Sequence, residues 1–328
     1  MLRQVAMCLP MNDFMKESGS LDMHRDLETV YRVSSYFDFP FTAEEVADYF
    51  LPGVNISGSK LLQMISEGEF AEIPFKIQNS YLLTREDQNP RVRSVREAIS
   101  AQKLKSAARF STLLTRLIPW IMTIAVTGSV AYGSAGKRDD IDLFIITKIN
   151  RLWISCFLAL VFVRVFKFLR LQPVMLLPFC MSYVHDESGF RNEARKNVNP
   201  LFARELLKAI PLAGKEHYRK ILEENEWVRA MHSSPYNAKV ESLPDYERII
   251  SPAREIFLLD WAEGLAFFFL SRYLRVRAYL TNLKLKSHQQ QMRLFEPVIS
   301  RNSCVYTSNF YRWLRDLWEV PPTILEQG

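Results

Sequence analysis

The chain has 328 residues, 48% hydrophobic and 24% charged, a balance that excludes a disordered or fibrous protein and leaves room for two or three cores. The net charge of +6 permits an anionic partner without requiring one. Four cysteines, Cys8, Cys156, Cys180 and Cys304, show no CxxC spacing, which argues against a zinc site or a disulfide framework and suits a reducing compartment.

Residues 1–24 read as an N-terminal extension. Its apolar patch "VAMCLP" is too short for a secretory leader, so a cytoplasmic location is expected. Residues 25–88 read as three short helices and a hairpin. "RDLETVYRVSSYF" carries apolar residues at helical spacing, and Thr42 with Glu45 three positions later forms a capping box for the second helix. "SGSKLLQMISEGE" supplies the third helix, and "FAEIPFKIQNSYLL" alternates around a "QNS" turn. This is a winged-helix-like module in outline. Between residues 25 and 85, five basic residues face nine acidic ones, a net of −4, and its would-be recognition helix offers only Lys60. Affinity for nucleic acid rests on neutralising phosphates, so DNA binding by this module is not expected.

Residues 89–118 form a basic linker helix: seven Lys or Arg between 91 and 116 face a single acid, Glu97. They form a solvated face or, standing just before a glycine-rich loop, point in part at a bound polyphosphate. From 119 to 214 strands and helices alternate, which predicts an α+β or α/β core of a mixed sheet with helices. "WIMTIAVTGS" enters one strand, "IDLFIIT" is a second, "PVMLLPFCMSYV" a third, and "LFARELLKAIPL" a helix. The apolar run "LWISCFLALVFV" has about twelve residues where spanning needs roughly twenty, so it is expected as a buried helix and no membrane partner is expected. From 215 to 328 the reading is a helical C-terminal domain. "PYNAKVESLPDYERIISP" is expected as a loop, and "AREIFLLDWAEGLAFFFLSRYLRVRAYL" as a helix buried on most sides.

The chemistry concentrates in "TGSVAYGSAGKRDDIDLFIIT", residues 127–147. A Walker A loop fails there: Ala131 stands where a glycine is required, and Arg138 replaces Ser or Thr. No register of Gly128, Gly133 and Gly136 gives GxGxxG. What fits is a strand, Gly128-Ser129, ten intervening residues, then Asp140-Ile141-Asp142 opening an apolar strand. Alternate strand residues share a side, so Asp140 and Asp142 present two carboxylates together, an arrangement a divalent cation stabilises. Gly128 permits close backbone approach of a triphosphate and Ser129 adds a hydroxyl. Lys137 and Arg138 are either surface charges or phosphate contacts.

These residues resemble the hG[GS] and [DE]h[DE]h signature of the DNA polymerase beta-like nucleotidyltransferase superfamily. More broadly, "YFDFPFTAEEV", "DIDLFIIT" with "RLW", and "LFARELLKAIPLAG" leading to "NEWV" resemble bacterial and archaeal proteins that join a winged-helix-like module to such a core. The resemblance implies transfer of a nucleoside monophosphate from an NTP to a hydroxyl or phosphate, with Mg²⁺ or Mn²⁺ held by Asp140 and Asp142. The acceptor is left open between a protein, a small molecule and RNA. The pattern also implies a third carboxylate on a later strand. Here the strand to 184 has no acid, leaving Asp186 (a candidate metal ligand), Glu187 and Glu205 (a candidate catalytic acid). Two rival readings stand beside it: an inactive nucleotide-binding or protein-interaction module, and a winged-helix nucleic-acid-binding regulator.

Overall fold

The computed structural model describes residues 19–85, 88–168, 179–245 and 257–318. The N-terminal part runs α1 (Gly19–Phe37), β1 (Phe41–Thr42), α2 (Ala43–Tyr49), α3 (Gly58–Ser66), β2 (Lys76–Gln78) and β3 (Tyr81–Leu83), with the strands in the order β1-β3-β2. Local chemistry sets these limits. The Glu45 amide donates to Thr42 Oγ1 (3.1 Å) while Glu45 Oε2 accepts from the Thr42 amide (3.0 Å), closing the capping box that starts α2. Asn79 and Ser80 both take positive φ (50° and 65°), the geometry of a two-residue hairpin turn whose twist matches its strands. Leu27, Val30, Val46, Leu61 and Leu82 are fully buried in this module's core.

The chain continues through α4 (Pro90–Leu117), β4 (Ile121–Thr127), the single turn α5 (Gly128–Ala131), β5 (Ile141–Thr147), α6 (Leu152–Phe168), β6 (Phe179–Asp186), α7 (Glu187–Lys196), α8 (Pro200–Lys208) and β7 (Ile210–Ala213). It ends with α9 (Lys215–Glu223), α10 (Trp227–Met231), α11 (Ser233–Glu241), α12 (Phe257–Ser287), β8 (Phe295–Ile299), β9 (Ser303–Ser308) and α13 (Asn309–Trp318). Six strands form one mixed sheet in the order β7-β4-β5-β6-β9-β8, parallel only between β5 and β6.

Both faces of this sheet are covered, which is why β4 and β5 read as continuous apolar runs. Ile124, Val126, Leu143 and Ile145 join a core with α4, α6 and α12, while Ala125, Phe144 and Ile146 join a second core with α7, α8 and α9. A buried carboxylate ties two of these layers together. Glu263 of α12 accepts from the amides of Trp153 (2.8 Å) and Ile154 (2.7 Å), capping the first turn of α6 from outside that helix. No described helix is long and apolar enough to cross a membrane.

Four expectations are corrected. "IPLA" leaves its helix and becomes β7, an edge strand on β4. The stretch expected as a loop contains α11, because Pro235 falls in the first helical turn, where its missing N–H costs nothing; residues 246–252 of that stretch lie outside the described chain, as do 169–178, which hold the start of the expected third strand. The C-terminal region is not wholly helical: β8 and β9 extend the core sheet beyond β6. The long helix is not buried on most sides either, since Leu258, Trp261 and Phe269 of α12 are 72%, 64% and 64% exposed.

Candidate functional site

Gly128 follows β4 and opens α5 with φ +62°, a conformation that a side chain makes costly. A Cβ at this position would overlap Asp142 Oδ2 and come within 3.1 Å of Asp142 Cγ. The glycine thus provides the space in which the Asp142 carboxylate lies. In the sheet, Asp142 pairs with Thr127 on one side and Cys180 on the other. Asp140 stands one residue before β5 and is exposed, and strand alternation puts it on the same side as Asp142. Ser129 follows in the first turn of α5, at the mouth of the same loop. The structure thus sets Gly128 against Asp142, with Ser129 and Asp140 beside them in the chain.

The loop between α5 and β5 is fastened from behind. Lys103 of α4, only 4% exposed, donates from Nζ to the Gly136 carbonyl (2.7 Å) and to the Asp139 carbonyl. Ser100 Oγ accepts from the Ala135 amide (3.1 Å), and Asp139 Oδ2 from the Gly136 amide (2.7 Å). Lys103 of the basic linker helix is thus a fastening of the loop's backbone; Lys137 and Arg138 are exposed on the loop itself.

Burial raises the Asp140 carboxyl above the ordinary aspartate range, Lys103 draws it back down, Asp139 adds to the rise and Arg277 opposes it. Arg277 lies on α12, far along the chain, and nothing local to residues 127–147 announces it. Its charge also reaches Cys180 and the Tyr306 phenol of β9.

Where the resemblance calls for a third carboxylate, the strand beside Asp142 offers Cys180. Its thiol is pushed up to about 12, first by burial and then by the Asp142 and Asp140 charges, so it stands as a neutral S–H. The three acids weighed from the sequence are engaged with other partners. Asp186 lies at the other end of β6, paired with Thr147, about 20 Å up the strand at the usual rise per residue. It is 1% exposed and caps α7, accepting from the Gly189 amide (2.8 Å), the Ser188 hydroxyl (2.6 Å) and the Asn150 amide (3.2 Å). Glu187 lies 3.7 Å from His217 Nε2. Glu205 on α8 accepts from the Tyr132 hydroxyl (2.9 Å) and pairs with Arg204 (3.7 Å), and burial raises its pKa. That cluster continues through Arg204, stacked on Phe50 and Tyr132, to Lys208 over Tyr49, so it bridges α8 and the N-terminal module.

The Asp186 placement gives a direct prediction. Asp186→Ala will cost about 1–2 kcal/mol in urea denaturation, the usual worth of a helix cap, and leave untouched any binding of magnesium nucleotide that calorimetry finds in the native chain. Loss of that binding in a folded variant would return Asp186 to the site.

Hard oxygen donors suit Mg²⁺ or Mn²⁺, and the chain supplies them at Asp140 and Asp142. Among the described residues, no three His, Cys, Asp or Glu side chains group to hold a metal. A cation here would therefore draw its remaining ligands from water and from a bound phosphate, as magnesium commonly does. Comparison with known proteins finds no family model, no curated protein and no solved structure that matches the chain.

Proposed function

We propose that the chain binds a nucleoside triphosphate with Mg²⁺ or Mn²⁺ at Gly128, Ser129, Asp140 and Asp142, and transfers its nucleoside monophosphate to an acceptor. The observation that supports this reading is the fit of the Asp142 carboxylate into the space left by Gly128, at the end of the strand paired with β5. The divalent ion supplies charge neutralisation for the phosphates and their leaving group. Gly128 lets the backbone approach the phosphates, Ser129 donates a hydroxyl to them, and Asp140 and Asp142 hold the cation. Arg277 adds positive charge from α12. An acceptor oxygen forms a bond to the α-phosphorus as the bond to the β-phosphate oxygen breaks, pyrophosphate leaves, and the acceptor's proton passes to solvent because the neutral Cys180 thiol is no base.

The test is incubation with labelled NTPs, Mg²⁺ or Mn²⁺ and a cell lysate that contains the acceptor. Label transfer is expected from the native chain and is expected to fall at least about 100-fold in an Asp140→Asn, Asp142→Asn double variant, as when a charge-stabilising group is lost. Undiminished transfer by the double variant would overturn the assignment.

Cys180 favours a second reading, in which the site binds nucleotide without turning it over. Tight, metal-dependent binding with no pyrophosphate released would select it. The nucleic-acid-binding reading has less behind it, since α3 offers only Lys60 and the module's net charge between 25 and 85 is −4.

A further inference from the structure

The α12 helix has two apolar faces. Ala266, Leu270, Leu274 and Ala278 are buried against the sheet. On the outside, Leu258, Trp261, Leu265, Phe269, Val276 and Leu280 are all exposed. Eleven residues complete about three turns, so 258, 269 and 280 stack on one line and 265 and 276 on its neighbour. The result is a straight apolar stripe about 33 Å long at the usual helical rise. The neighbouring helix α6 also exposes Phe157, Val161 and Val165.

Charge decides what this stripe fits. From Gly264 to Ser287 the helix has no acidic residue, and it carries Arg272, Arg275, Arg277, Lys284 and Lys286. At helical spacing Arg272, Arg275 and Lys286 fall along one edge of the stripe, while Arg277 and Lys284 fall toward the buried side, where the charge of Arg277 reaches Asp140 and Cys180. Arg272 lies flat on Phe268, its guanidinium carbon 3.6 Å from the ring centroid, so an edge cation is combined with apolar surface. A second copy packed in parallel on the stripe would bring this basic edge against itself, with no acid between Gly264 and Ser287 to meet it. An apolar layer bordered by negative charge would satisfy both the stripe and its basic edge.

We propose that the outer face of α12 docks the protein on an anionic lipid bilayer. The helix lies in the headgroup plane, with Leu258, Trp261, Phe269 and Leu280 dipping toward the acyl chains and the edge of Arg272, Arg275 and Lys286 meeting lipid phosphates and carboxylates. Lying on a bilayer is distinct from crossing it, and five cations within the helix exclude the second. The assignment stands on α12 and α6 and is independent of the nucleotide reading.

The test is co-sedimentation of the full chain with phosphatidylserine-rich vesicles and with pure phosphatidylcholine vesicles. Binding is expected to the first and at least about tenfold weaker to the second, and to weaken as salt rises. A blue shift of tryptophan emission on the anionic vesicles should disappear in Trp261→Phe. Two sets of surface variants, Trp261→Ser with Phe269→Ser and Leu280→Ser, and Arg272→Glu with Arg275→Glu and Lys286→Glu, should each lose vesicle binding while keeping the native melting temperature. Vesicle binding that ignores both sets of changes would overturn the proposal, as would no binding at all. A concentration-dependent dimer in sedimentation analysis, abolished by the serine variants, would assign the face to a second copy instead and also overturn it.

Discussion

Replacing Gly128 by alanine will abolish metal-dependent nucleotide binding while costing the fold only about 1–3 kcal/mol, the range for a residue held at an unfavourable backbone conformation. The backbone cost follows from φ +62°. The functional cost has a different origin. The new methyl group would occupy the space of Asp142 Oδ2. A carboxylate is the far end of a flexible side chain and can swing aside, which keeps the stability loss modest and removes the oxygen that the cation needs. Gly133 is the control: its φ is +71°, and a Cβ there meets nothing closer than Glu97 Cγ at 3.4 Å. Gly133→Ala should therefore show a comparable loss in urea denaturation and keep its nucleotide affinity in calorimetry. A Gly128→Ala chain that binds magnesium nucleotide as tightly as the native protein would refute the site.

The largest stability effect is expected at Arg93. Its guanidinium donates to both oxygens of Glu45 at 2.7 Å, to Glu97 Oε1 at 2.7 Å and to the Pro40 carbonyl at 3.0 Å, and it lies over the Phe39 ring at 5.0 Å. The residue is 9% exposed. Removing one partner of such a pair leaves the other as a charge without compensation, so Arg93→Ala should cost about 3–5 kcal/mol at neutral pH. Lysine will not restore this, because it lacks the planar fork that meets both carboxylate oxygens.

The pH dependence follows from Glu45. Burial raises its pKa, but the hydrogen bond and charge of Arg93 outweigh burial, so the folded value lies below the ordinary glutamate range. The stabilisation is thus present above the unfolded pKa of about 4.3 and is lost as pH falls through the lower folded value. Without Arg93, burial is opposed only by the Thr42 amide and the Lys208 charge, and most of this acid-sensitive stabilisation is gone. The gap in urea stability between native and Arg93→Ala chains should be widest near neutrality and narrow steadily in acid. A gap that stays constant with pH would mean that Arg93 contributes through packing alone.

What could be read from the sequence was what is local. The capping box at Thr42, the turn at Asn79-Ser80, the linker helix and the spacing from Gly128 to Asp142 each lie within one short stretch of chain, where propensity, periodicity and spacing can be read directly. Pairings between distant segments were not legible. "IPLA" is too short, and too helix-like in its setting, to announce an edge strand. Cys180 becomes a neighbour of Asp142 only once the β5–β6 register is known. Arg277 reaches Asp140 only through the packing of α12 on α6. Apolar residues around α12 read as burial on every side, because periodicity marks apolar faces without saying which of them is covered.

The β8–β9 hairpin has a consequence for how the chain can be made. It supplies the neighbour of β6 on the side away from β5: Val184 pairs with Cys304, and the Asp186 amide donates to the Asn302 carbonyl at 3.0 Å. The middle of the sheet is therefore completed by residues that leave the ribosome more than a hundred positions later, at the slow pace of chain growth. Until then β6 is an open edge of hydrogen-bonding groups with the apolar surfaces of β4 and β5 beside it, the kind of edge on which other chains pair. A fragment cut after α8, or after α12, would keep every residue of the aspartate loop and still present that edge. The sequence-local nucleotide motif and the unit that can fold around it are different lengths of chain.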